Sequence, residues 1–214
     1  MARNRHGAAV TDRGTGAPPD GRPGSLDEHA RESLRYIRRT MESAGSFTAV
    51  SGAGQIAMGL TATAAAVAAS QQERSAAWLG VWLAEAALAA AIGTAAIARK
   101  AWRTQVSLGA GPARRAALGF APAVLAGLVL TPALHAWGLT FRLPGVWLLL
   151  FGAGVVTGGV LSVVRIIPIM GAVLMALGAA ALLAPEAWGD VFMAAGFGAV
   201  MAGFGVAIAR KHGG

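Results

Sequence analysis

From residue 45 onward this sequence is a succession of Ala-, Gly- and Leu-rich runs, separated by short gaps that hold almost every charge. Each run is about 20 residues long, which at a rise of 1.5 Å per residue matches a hydrocarbon core roughly 30 Å thick. The runs show no two-residue polar alternation. Lipid leaves no water to pair an open backbone, so helices rather than strands are predicted. Six spans follow, with approximate cores 46–69, 76–98, 116–137, 145–164, 166–185 and 190–209. Only Arg165 separates the fourth from the fifth, with Pro168 just beyond. One continuous helix there would be far too long for a bilayer, so a turn at Val164–Pro168 is expected.

Charge placement orients the six spans. The segment before the first span carries eight Arg, the 99–115 gap carries Arg99, Lys100, Arg103, Arg114 and Arg115, the turn after span four carries Arg165, and the end carries Arg210 and Lys211. These lie on one side and hold 16 of the 18 Lys and Arg residues, leaving Arg74 and Arg142 opposite. The positive-inside bias then places both termini in the cytoplasm, and a five- or seven-span chain would destroy the segregation. The net charge of +8 is concentrated beside apolar helices, so anionic lipid, not nucleic acid, is the expected partner. With 55% hydrophobic and 13% charged residues, the chain is far from soluble composition, in which about a quarter is charged. It has no Cys, which excludes disulfides, thiolate chemistry, Cys-ligated clusters and c-type haem attachment.

The fold expected is therefore all-α: a polytopic bundle of six transmembrane helices over 45–210, preceded by a cytoplasmic amphipathic helix over 25–44. A polar tail, 1–24, reads as disordered and lacks the apolar core of a cleavable signal. A short cytoplasmic tail, 211–214, ends the chain. Ser25-Leu26-Asp27-Glu28 is a capping box, and Ala30, Leu34, Ile37, Met41 and Ala44 then form one apolar stripe. Arg31, Arg35, Arg38 and Arg39 occupy much of the remainder, which suits docking to the lipid surface or to a partner. Packing on the chain's own bundle would need the same stripe.

Few polar groups lie at membrane depth. Glu85 is the one acidic residue well inside a span, where a carboxylate must be neutral, paired or in contact with water. Gln55 is at comparable depth on the antiparallel neighbour. A Glu85–Gln55 hydrogen bond that fixes packing is one expectation; ion or proton coupling, a ligand contact and a lipid-facing acid are the others. Thr131 and His135 lie one turn apart near the outer end of span three, with Pro132 between them. His135 has no second imidazole in reach by sequence, so no metal site and no cofactor are expected. Glu186 and Asp190 read as an exposed outer turn. Trp78, Trp82, Trp137, Trp147 and Trp188 fall near outer ends and Trp102 near an inner one, as interfacial anchors do. Gly154 and Gly158 form a GxxxG, which suits close helix contact within the bundle or in a homo-oligomer.

The stretch from His29 to Gly52, with Arg38, Thr40, Met41 and Glu42 followed by Phe47-Thr48-Ala49-Val50, resembles the start of small uncharacterised multi-span proteins of bacterial inner membranes. The resemblance covers residues 29–60. It implies an integral membrane protein of that compartment and brings no catalytic residues with it. Ser51 stands where the pattern leads one to expect Pro.

No HExxH motif, phosphate-binding loop, Ser–His arrangement or carboxylate pair is present. The leading functional expectation is a non-enzymatic scaffold or subunit of a membrane complex. Its basic face would meet anionic lipid or a membrane or cytoplasmic protein partner. The alternative is a small transporter or channel-like protein with Glu85, Gln55 and, further out, Thr131 and His135 along a polar path.

Overall fold

A computed structural model describes residues 31–36, 51–104, 112–160 and 166–212. The first of these segments is helical and solvent-exposed (α1, residues 31–36) and carries Arg31 and Arg35. It belongs to a unit of its own, Met1–Glu42, separate from Ser43–Gly214. The capping box at Ser25, Arg38, Arg39 and the 1–24 tail lie outside the described residues.

Six helices in the second unit are long and apolar enough to cross a membrane. They are α2 (Gly52–Ala69), α3 (Ser75–Thr104), α4 (Pro112–Ala136), α5 (Leu143–Val160), α6 (Ile166–Leu183) and a composite last span. That last span opens with a 3-10 turn at Glu186–Trp188, continues as α7 (Gly189–Met193) and a π-helical turn (Ala194–Val200), and ends as α8 (Met201–His212). No strand occurs among the described residues. The chain is thus an all-α, multi-pass membrane bundle.

Three boundaries differ from the sequence expectation. Helix α3 runs on to Thr104 and α4 starts at Pro112, so Arg99, Lys100 and Arg103 belong to the last turns of one helix, and Arg114 and Arg115 to the first turn of the next. At 30 residues α3 is about 45 Å long, which exceeds the hydrocarbon thickness, so its basic end projects past the apolar run. The final helix continues through His212, two residues into the expected tail. Pro122 and Pro132 both lie inside α4, which remains continuous through them.

Local chemistry explains the ends. Ser51 is the N-cap of α2, its Oγ accepting from Gly54 N–H, the role a helix start gives to Ser. Helix α4 closes on Gly138, whose φ of +74° only glycine adopts without strain. Leu139 N–H returns to Leu134 O and Gly138 N–H to His135 O, a Schellman closure. Arg142, one of the two basic residues outside the main clusters, donates to Leu182 O at the end of α6. It therefore caps a carbonyl end, where a cation is favoured.

Glycine seams hold the helices together. Helix α5 presents Gly145, Gly152 and Gly159 at intervals of seven, and α6 presents Gly171 and Gly178. A methyl added at Gly152 would lie 2.7 Å from Gly171 O, and one at Gly178 would lie 2.6 Å from Leu149 N. The second seam joins α2 to the last span: Gly52 faces Gly205 and Ala209, and Gly59 faces Gly198 and Ala202. Seven-residue spacing keeps one small-residue seam facing its neighbour along antiparallel helices. In lipid such backbone approach matters more than apolar burial, because lipid tails are as apolar as the core. Gly154 and Gly158 form a third contact within the chain, against Phe120 and Ala123 and against Ala116 O of α4.

The two sets of helices meet where Gly196 of the last span packs on Leu148 of α5 and Leu174 of α6. Phe151 links them further, standing edge-on to Phe120 of α4 at 5.1 Å and to Phe197 at 5.2 Å. Leu148, Met170 and Leu174 are fully buried at this junction. Helices α3 and α4 form the flanks, and their Leu83, Leu88, Leu118, Leu125 and Leu128 face outward.

Candidate functional site: the polar groups inside the bundle

Glu85 is buried, 8% exposed, on the face of α3 that meets α2. Gly54 packs on Ala96 and Met58 on Gly93, which sets the antiparallel register of the two helices. By that register Glu85 lies level with Ala65. Its Oε1 nevertheless sits 2.8 Å from Thr61 Oγ1, one turn further in. Thr61 is at the middle of α2, so the carboxyl turns toward the centre of the span and not toward its nearer end. Thr61 Oγ1 also lies 3.0 Å from Met58 O and 3.2 Å from Ala57 O.

The expected Glu85–Gln55 bond is not made. Six residues separate Gln55 from Thr61, about 9 Å along the axis, and Gln55 sits by Gly205 of α8, not on the face turned to α3. Gln55 is 5% exposed, and its Oε1 has no hydrogen-bond partner among the described residues. A buried acceptor left unpaired costs about 1–3 kcal/mol, so Gln55 is a destabilising element of this seam.

Thr131 and His135 are also not a joint site. Thr131 is buried in α4, donates to Gly127 O at 2.7 Å and accepts from Trp147 Nε1 of α5 at 2.9 Å. The Trp147 ring lies directly over Gly127, where an added methyl would approach within 2.7 Å. His135 Nδ1 instead pairs with Thr140 Oγ1, 3.0 Å away across the turn after α4. Between α4 and α5, Thr157 Oγ1 also reaches Gly119 O at 2.8 Å.

One cluster corrects the sequence reading outright. Asp190, expected in an exposed turn, is half-buried in α7, and its Oδ1 accepts from Trp78 Nε1 at 2.7 Å and Trp82 Nε1 at 3.4 Å. The two indoles lie 6.2 Å apart on one face of α3, and Trp82 is buried. These residues therefore clasp α3 to the last span. The i, i+4 spacing of Trp78 and Trp82 was the signal for a shared face; nothing local to Asp190 identifies its partner. Trp102, near the C-terminal end of α3, is 80% exposed. Arg99, Arg103, Arg114 and Arg115 are exposed in the same region of their helices.

Among the described residues, no three His, Asp or Glu side chains come together as a metal site would require. Glu85, Thr131 and Thr157 instead each join two helices, and His135 joins a helix to its turn. The class defined is a polytopic α-helical membrane protein assembled on glycine seams with a few intramembrane hydrogen bonds. No family model, curated protein or solved structure matches the chain.

Proposed function

We propose that this protein is a non-enzymatic scaffold or subunit of a membrane complex, resident in a bacterial inner membrane with both termini in the cytoplasm. One observation carries the reading: apart from Gln55, the buried polar groups at membrane depth are used in contacts between helices. Glu85 is taken by Thr61, Thr131 by Trp147, and Asp190 by two indoles. In membranes such bonds contribute about 0.6 kcal/mol on average and up to about 2, enough to fix packing. The exposed Arg99, Arg103, Arg114 and Arg115 then offer a surface for anionic lipid, and residues 25–44 one for a lipid surface or protein partner.

The transporter alternative is supported by the buried, unpartnered Oε1 of Gln55. Purified protein in liposomes, loaded with a pH-sensitive dye and placed under a pH gradient, separates the two. The scaffold reading expects the leak of protein-free vesicles, unchanged by Glu85→Gln. A proton flux that Glu85→Gln abolishes would overturn it.

A further inference from the structure

We infer that Glu85 is a neutral carboxylic acid at neutral pH, a proton-holding site between α2 and α3 near the middle of the span that an apolar carbodiimide will modify. Three observations converge. The first is position: the carboxyl is turned inward to Thr61 at the midpoint of α2, where an ionised group is most costly. The second is charge. Helix α2 contains no ionisable residue, α3 has none but Glu85 between Ser75 and Ala98, and none lies between Val191 and Ala209. Arg99 and Lys100 are 14 and 15 residues along α3, more than about 20 Å away. The ionisable group of the last span nearest in the register is Asp190, another carboxylate, held by the indole of Trp82 one turn from Glu85. Arg74, 11 residues before Glu85, is about 16 Å away along the axis, so among the described residues no cation is placed to balance an ionised Glu85.

The third observation is the hydrogen-bond chain. An ionised Glu85 would have one hydroxyl donor, far short of what a carboxylate needs away from water. As an acid, its O–H donates to Thr61 Oγ1, and the Thr61 hydroxyl donates in turn to Met58 O or Ala57 O, 3.0 and 3.2 Å away. Every proton then has an acceptor, and no net charge is buried.

Such an acid has a defined reactivity. Its O–H adds across one C=N bond of an apolar carbodiimide, the proton going to nitrogen and the carboxyl oxygen to the central carbon. Where water is scarce, the acyl group then migrates from that oxygen to nitrogen, giving a stable N-acylurea with no atom lost. Glu73 and Glu186 are exposed and serve as internal controls.

The test uses the full-length protein in lipid nanodiscs at neutral pH, with two readouts. Infrared spectroscopy should show the carbonyl stretch of a protonated carboxylic acid, lost in Glu85→Gln. Peptide mapping after treatment with dicyclohexylcarbodiimide should find the N-acylurea at Glu85 and not at Glu73 or Glu186. Absence of the acid band from the wild type, or its persistence in Glu85→Gln, would overturn the neutral acid. A map without adduct at Glu85 would overturn the reactive site. Should Glu85→Gln fail to assemble, Thr61→Val retains the acid and removes its acceptor; an unshifted band there would overturn the hydrogen bond.

Discussion

Replacing Gly152 by Ala tests whether backbone approach between α5 and α6 holds this bundle together. The added methyl would lie 2.7 Å from Gly171 O and 2.8 Å from Met175 N, backbone atoms that cannot rotate away. It falls about 0.7 Å short of ordinary contact, so the two helices must part locally by about that much. A gap of 0.5–1 Å forfeits about a quarter to a half of each ~0.1–0.2 kcal/mol atom contact. A large buried side chain makes roughly 40–60 such contacts, so each one affected in the seam loses about 1–6 kcal/mol. Ala recovers up to ~1 kcal/mol of helix propensity over Gly. The net expectation is a loss of about 1–3 kcal/mol, the usual cost of overpacking and about 5- to 150-fold in the unfolding equilibrium. Gly203→Ala is the matched control: nothing lies within 4 Å of its methyl, so only the propensity gain remains. Reversible unfolding of both variants in mixed detergent micelles, followed by tryptophan fluorescence, gives the comparison. If Gly152→Ala unfolds no more easily than Gly203→Ala, the seams are not what confers stability.

In the outer clasp, Trp78→Phe should cost more than Trp82→Phe in hydrogen bonding, since the Trp78 bond to Asp190 is 2.7 Å and that of Trp82 is 3.4 Å. A double-mutant cycle with Asp190→Asn should give a coupling of about 1 kcal/mol for Trp78 and less for Trp82; equal couplings would contradict the geometry. Gln55→Met removes an unpaired buried acceptor at nearly constant volume and should leave stability unchanged or raise it by about 1 kcal/mol, measured by the same unfolding assay. Arg99→Gln with Arg103→Gln should weaken retention of anionic lipid by about 1 kcal/mol per charge, read by mass spectrometry of nanodiscs at two salt concentrations; retention independent of both charge and salt would count against the basic surface.

Span number and hydropathy were legible because a membrane imposes length and polarity on each segment separately. Which helix faces which was not, because that depends on register between segments. Glu85 could be singled out from its own span, but its partner could not. Gln55 lies too far along α2 and on another face, whereas Thr61, an unremarkable residue in an Ala-rich run, is within reach. Asp190 misled for the same reason. Its sequence neighbours, Glu186 and Gly189, suggest a surface turn, and the two indoles that bind it come from more than a hundred residues earlier.

The last span shows why register is hard to extract even within one helix. Its buried residues are Met193, Gly196, Gly198, Met201, Gly205 and Ile208, with steps of three, two, three, four and three. The step of two is not helical spacing, and a search for 3.6-residue periodicity loses the stripe there. It falls on the π-helical turn, where Met201 N–H bonds to Gly196 O. The extra residue rotates the first half of the span relative to the second by about 100° from an uninterrupted α-helix. Both contacts of the span depend on that rotation. Before the turn, Asp190 faces the indoles of α3; within it, Gly196 faces Leu148 and Gly198 faces Thr63; after it, Gly205 and Ala209 face Gly52. The π turn therefore sets the angle between the clasp and the glycine seam.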